Sequence, residues 1–187
     1  VVGMMRWWIV GAFVWGFAEA TFVFIVPDLL LTASVIAFGF AHAFRFAVFA
    51  AIGAVIGGSA MYWWGAHDIA AALGLLRSVP LIADDLLGRV AAEMNAAYWP
   101  VNLSLGALTG APFKIYAVEA GNLGIHPAVF AAVGFGARLL RFGFAIALTA
   151  LGISLAHRLG LGRLVPVGLA AVWITIYGIY GFVRLSA

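Results

Sequence analysis

Nearly uncharged apolar runs of bilayer-crossing length recur along this chain, and they constrain its fold more than any other feature. Phe46 to Ala66, Pro127 to about Leu155, and Leu164 to Val183 are the clearest. About 20 residues at ~1.5 Å each carry a helix across a ~30 Å hydrocarbon core. Backbone groups in oil must be satisfied within their own segment, so such runs are expected to be helical. Only 9% of the 187 residues are charged, against about 25% in soluble domains. The expectation is an all-α polytopic membrane protein, a single integral membrane domain over residues 1–187. The first apolar segment contains Glu19 and runs directly into another, so it reads as part of the fold and not as a cleaved leader.

Prolines divide the remaining apolar sequence. The block Trp7–Val26 is interrupted at Pro27-Asp28, and a second run, Leu29–Phe44, stops at Arg45. That second run is about 24 Å long as a helix, short of a full crossing. Trp99-Pro100 opens another run to Leu108, which Thr109 to Lys114 interrupt and Ile115–Gly124 continue. Both are expected to be Pro-broken re-entrant hairpins, about 7–44 and 99–125, joined to spans at 46–66, 128–155 and 164–183. Between them, 68–98 carries Arg77, Asp84, Asp85, Arg89 and Glu93 among Leu81, Ile82, Leu86, Leu87 and Val90. It reads as an amphipathic segment on the membrane or over the bundle, divided at Pro80.

An internal match links the two halves. Residues 47–53 read Ala-Val-Phe-Ala-Ala-Ile-Gly, and 128–134 read Ala-Val-Phe-Ala-Ala-Val-Gly. Each follows a broken hairpin and opens a span, which predicts an inverted repeat of the kind secondary transporters use, with a site between the broken elements. Under this topology Arg6, Arg45, Arg158 and Arg163 share the side expected to be cytoplasmic. Arg77, Arg89 and Arg184 take the other, diluted by Asp84, Asp85 and Glu93.

The charges inside the apolar segments are the functional candidates. An ionised side chain at membrane depth costs at least about 2.5–3.5 kcal/mol, so it tends to face the protein interior with a partner. Glu19, Asp28 and Glu119 are the acids, expected to carry protons. Lys114, Arg138 and Arg141 are the bases, expected to bind an anionic headgroup such as phosphate. Arg138 and Arg141 are three apart and share one helical face. Buried structural ion pairs, or arginines snorkelling to the surface, are the competing reading.

At these residues the chain resembles the DedA superfamily, also called the VTT or SNARE-associated Golgi protein family, and within it the YqaA-like branch. Three blocks carry the likeness: Glu19 to Leu31 with its acid, Pro and second acid; Gly53 to Gly65 with Gly57-Gly58 and Tyr62; and Ala111 to Gly121 together with Gly136-Ala-Arg-Leu-Leu-Arg-Phe142. They span most of residues 15–150. The resemblance implies two opposed re-entrant hairpins among spanning helices. It also implies movement of phospholipid or polyprenyl phosphate between leaflets, often proton-coupled, in the bacterial inner (plasma) membrane. Glu19 and Asp28 would be the essential acids, and Lys114 would stand where many relatives have a hairpin arginine. Thr109 stands near the place of another.

Other chemistries find little support. With no cysteine, thiolate sites and disulfides are excluded. A net charge of +3 spread along the chain is no nucleic-acid footprint. Gly57-Gly58-Ser59-Ala60 lacks a mid-helix His base, and the four histidines lie near segment ends, so neither serine hydrolysis nor haem ligation is expected. The chain is expected to be no enzyme and to need no cofactor, with membrane lipids as its partners. A homo-oligomeric or membrane-complex partner stays open. The alternatives to lipid transport are a non-transporting subunit of a larger membrane complex and a small proton-coupled ion or drug exchanger.

Overall fold

The computed structural model describes residues 2–23, 25–79 and 82–185. Pro80 and Leu81, assigned above to the amphipathic segment, lie outside them. The regular elements among the described residues are all helical, without strands: α1 (Val2–Glu19), α2 (Asp28–Phe38), α3 (Phe40–His67), α4 (Ile69–Ser78), α5 (Asp84–Asn95), α6 (Trp99–Thr109), α7 (Phe113–Asn122), α8 (Pro127–Arg158) and α9 (Val165–Leu185), with a 3-10 turn at Gly162–Leu164. α3, α8 and the stretch Gly162–Ile179 are long and apolar enough to cross a membrane. Their outer faces carry exposed Leu148, Leu151, Leu155, Ile174 and Ile179. An apolar surface of this kind is stable against lipid and not against water. The chain is a helical membrane protein.

Local chemistry sets the breaks. α1 ends at Glu19, well before Val26, and the Thr21 hydroxyl bonds back to the carbonyls of Phe17 and Ala18 at 3.0 Å. Trp15 Nε1 donates to the Ile25 carbonyl at 2.8 Å and folds the connecting segment against α1. Pro27 precedes α2, whose first-turn Asp28 complements the positive helix terminus. The next interruption falls at Gly39 and not at Arg45. Gly39 sits at φ +80°, a conformation glycine reaches without a Cβ clash, whereas Arg45 is an exposed residue inside α3. α6 closes with Gly110 at φ +91° and a bond from Ala111 N to the Gly106 carbonyl at 2.9 Å, and Pro112 prevents its continuation. At 11 and 10 residues, α6 and α7 are each only about 16 Å long and cannot cross alone.

Side-chain pairs fix the directions. Trp8 stacks on Phe46, while Phe13 and Phe17 lie against Gly53 and Gly57, so α1 runs alongside α3 in the same direction. Trp8 also meets Phe38 edge-on at 5.2 Å, so α2 doubles back to the beginning of α1. Tyr62 of α3 stacks on Phe130 of α8, while Ala47 and Ala50 cluster with Phe142 and Ile146. α3 and α8 are therefore antiparallel. The crossings are close: a Cβ on Gly16 or Gly53 would run into the backbone carbonyls of Ala50 and Phe13. Small residues permit this approach, which in lipid stands in for hydrophobic driving force. α4 and α5 cover the end of the bundle through Leu76, Leu86, Leu87, Val90 and Met94. Tyr116 of α7 donates a short hydrogen bond to Glu93 of α5, anchoring that cover.

Candidate functional site

The α1–α2 break and the α6–α7 break come together midway along α3 and α8, and the buried charges gather there. Glu19 ends α1 and is 4% exposed; Arg138, in the first half of α8, is 2% exposed. Arg138 Nη2 donates to Glu19 Oε1 at 3.1 Å. Glu19 Oε2 lies 3.0 Å from the same nitrogen, close enough for charge attraction but not directed as a hydrogen bond. Among the described residues, Glu19 Oε2 and Arg138 Nε have no hydrogen-bond partner. The guanidinium also lies over the Phe113 ring at 4.7 Å, and Phe113 stacks in turn on Phe130. A cation on an aromatic face in a dry site gains about 2 kcal/mol.

The second pair sits one turn further along α8. Arg141 Nε donates to Asp28 Oδ2 at 3.1 Å, and its Nη1 donates to the Ala107 carbonyl at 2.7 Å. One guanidinium thus ties the start of α2 to the end of α6. Lys114 enters from the first turn of α7, is 1% exposed, and donates to the Val23 carbonyl at 3.0 Å. It crosses from the second break to the first.

Glu19, Lys114 and Arg141 line a cavity of about 220 Å³, together with Val23, Thr109, Gly110, Trp173 and Tyr177. Asp28 and Arg138 stand behind as the ion-pair partners of two of these residues. Two acids face three bases, so the cluster carries one surplus positive charge when all are ionised. Burial of so many charges without mutual pairing would cost several kcal/mol each.

Glu119 stands apart from this group. It is buried more than a turn beyond Lys114, where α7 presses Val118 and Gly121 against Gly65 and Tyr62 of α3. Its hydrogen bond comes from Asn122 Nδ2 at 3.4 Å, and it does not line the cavity. The structure brings together five of the six charged candidates and leaves the sixth elsewhere.

α9 supplies what the sequence did not flag. Trp173 Nε1 donates to Thr32 Oγ1 at 2.9 Å, and the Tyr177 hydroxyl accepts from the Val26 backbone N–H at 3.1 Å. These two side chains, four apart on one face, close the cavity over the first break. Spacing i, i+4 of two aromatics with polar atoms was the available signal. Comparisons with family models, with curated proteins and with solved structures returned no match for this chain.

Proposed function

We propose that this protein moves an anionic lipid, a phospholipid or a polyprenyl phosphate, between the leaflets of a membrane. The observation that carries the reading is the cavity: a partly open, partly polar space between two chain breaks, with one base more than its acids. A phosphate-bearing headgroup would neutralise that surplus, with Lys114 and Arg141 as its contacts. Glu19 lines the same space and is the ion-pair partner of Arg138, so on this reading it is the acid that takes the proton. Proton uptake there would release Arg138 and couple headgroup movement to a proton gradient.

The arrangement of helices supports an inverted repeat of α1–α2–α3 and α6–α7–α8. α1 packs on α3 as α6 packs on α8, and α2 reaches α8 as α7 reaches α3. The two broken units are then opposed re-entrant hairpins whose tips meet at the charged cluster, the position of substrate sites in inverted-repeat carriers. The likeness of residues 15–150 to the DedA superfamily points to the same substrate class, and with it to the bacterial inner membrane. Arg6, Arg45, Arg158 and Arg163 fall at the end of the bundle that this reading makes cytoplasmic.

The test is headgroup translocation in liposomes, comparing the wild type with Glu19→Gln and Asp28→Asn after both variants are shown to elute as folded protein. Loss of movement is expected from each. Wild-type rates in both would remove the acids from the mechanism. Export of a soluble cation without lipid movement would favour the exchanger alternative.

A further inference from the structure

A second crevice, of about 430 Å³, runs between α2, α8 and the first half of α9. Ile36, Leu148, Gly152, Ile153, Gly168 and Val172 are among its wall residues. Its one side-chain hydroxyl, on Thr149, is already committed to the Ala145 carbonyl at 2.8 Å. A polar ligand would lose its hydration there with nothing in return. The volume falls in the range of sites that enclose small molecules.

Position distinguishes this crevice from ordinary lipid-facing surface. Val172 lines it and the next residue, Trp173, lines the cationic cavity; on α2, Ile36 of the crevice stands one turn from Thr32, which accepts the Trp173 hydrogen bond, so the two spaces are neighbours along α2 and α9. From Leu164, at the far end, to Trp173 is about 14 Å of helix, roughly half the hydrocarbon thickness. That far end adjoins a surface hollow at His157, Gly160, Gly162 and Arg163. An apolar slot about one leaflet deep, next along α2 and α9 to a cluster with surplus positive charge, matches a hydrocarbon chain carrying an anionic head.

We propose that the α2–α8–α9 crevice binds the hydrocarbon chain of an anionic lipid whose head is held at Lys114. The head's placement rests on the transport reading above, while the chain site rests on the crevice itself. The chain lies along the first half of α9 and runs toward Trp173. A Cβ on Gly152 or Gly168 would meet no neighbouring atom, so Gly152→Leu and Gly168→Leu are the substitutions chosen to narrow the slot, each checked for folding by elution as wild type.

The experiment uses the full chain in phosphatidylcholine vesicles doped with either phosphatidylglycerol or phosphatidylcholine bearing a photoactivatable group in mid-chain. Adducts are mapped by mass spectrometry. Phosphatidylglycerol adducts are expected to concentrate on the crevice walls and to fall about tenfold with both leucines in place. Adducts on the exposed outer face at Phe144 and Leu151 should not change. Lys114→Gln is expected to abolish the preference for the anionic lipid while crevice labelling persists. Adducts spread evenly over crevice and outer faces, or equal labelling by the two lipids in the wild type, would overturn the proposal. Crevice labelling without headgroup translocation would leave the chain site standing and defeat the transport reading. Translocation that is indifferent to the leucines, with no crevice labelling, would do the reverse.

Discussion

Glu19 and Arg138 lie 119 positions apart in the chain and meet as a buried ion pair, which joins the end of α1 to the first half of α8. Each charge depends on the other, since neither is exposed. Glu19→Gln should lower stability by about 3–5 kcal/mol because it strands the guanidinium. Adding Arg138→Met should restore much of that loss, since no uncompensated charge remains. Denaturation in detergent micelles, read by helical circular dichroism, measures both. Losses that simply add in the double variant would mean that the two side chains do not act as a pair.

Arg141 makes a different prediction, because its two donors serve different parts of the chain. Nε holds Asp28 and Nη1 holds the Ala107 carbonyl. Lysine keeps the charge but offers a single ammonium in place of the planar fork. Arg141→Lys should therefore release one of the two contacts at a cost of about 1.5–3 kcal/mol. On the transport reading, headgroup translocation should slow by at least about tenfold. A lysine variant as fast and as stable as wild type would show that the link between the two breaks is dispensable.

α9 is fastened to the charged centre by two hydrogen bonds, from Trp173 to Thr32 and from the Val26 amide to Tyr177. Trp173→Phe and Tyr177→Phe keep aromatic bulk and remove one bond each, at about 0.5–1.5 kcal/mol apiece. Hydrogen exchange should rise at the Val26 amide in Tyr177→Phe and rise little in α3, which packs between α1, α7 and α8. Unchanged exchange at Val26 would show that the tyrosine does not hold the break closed.

The parts of this molecule that were legible in advance are those in which chemistry is written in residue type. Pro27 and Pro112 mark real breaks, and a Glu, an Asp, a Lys and two Arg residues in apolar surroundings are conspicuous. The misread positions depended on conformation or on neighbours. Arg45 looked like a boundary because it is charged, but a charge facing outward interrupts nothing; Gly39 breaks the helix by its positive φ. The carbonyls of Val23 and Ala107 are essential to Lys114 and Arg141, and every residue possesses one, so no sequence signal marks them. Trp173 and Tyr177 were hidden by their apolar context, and Glu119 was grouped with the other acids because residue type does not tell which side of α7 it occupies.

The seam between α1 and α3 yields the last prediction, which is independent of any view of function. At Gly53 the Phe13 carbonyl occupies the space a Cβ would need, and Gly16 is in the same position against Ala50. Because the obstacle is backbone, neither helix can yield by rotating a side chain. Gly53→Ala should therefore force α1 away from α3 and cost about 1–3 kcal/mol, as overpacking does. Gly178 on α9 is the control: nothing lies where its Cβ would be, so Gly178→Ala should be neutral or gain up to about 1 kcal/mol from helix propensity. The same micelle denaturation compares the two. A Gly53→Ala variant at least as stable as Gly178→Ala would mean that α1 does not lie on α3 at this distance, and Glu19 would then lose the anchorage that brings it to Arg138.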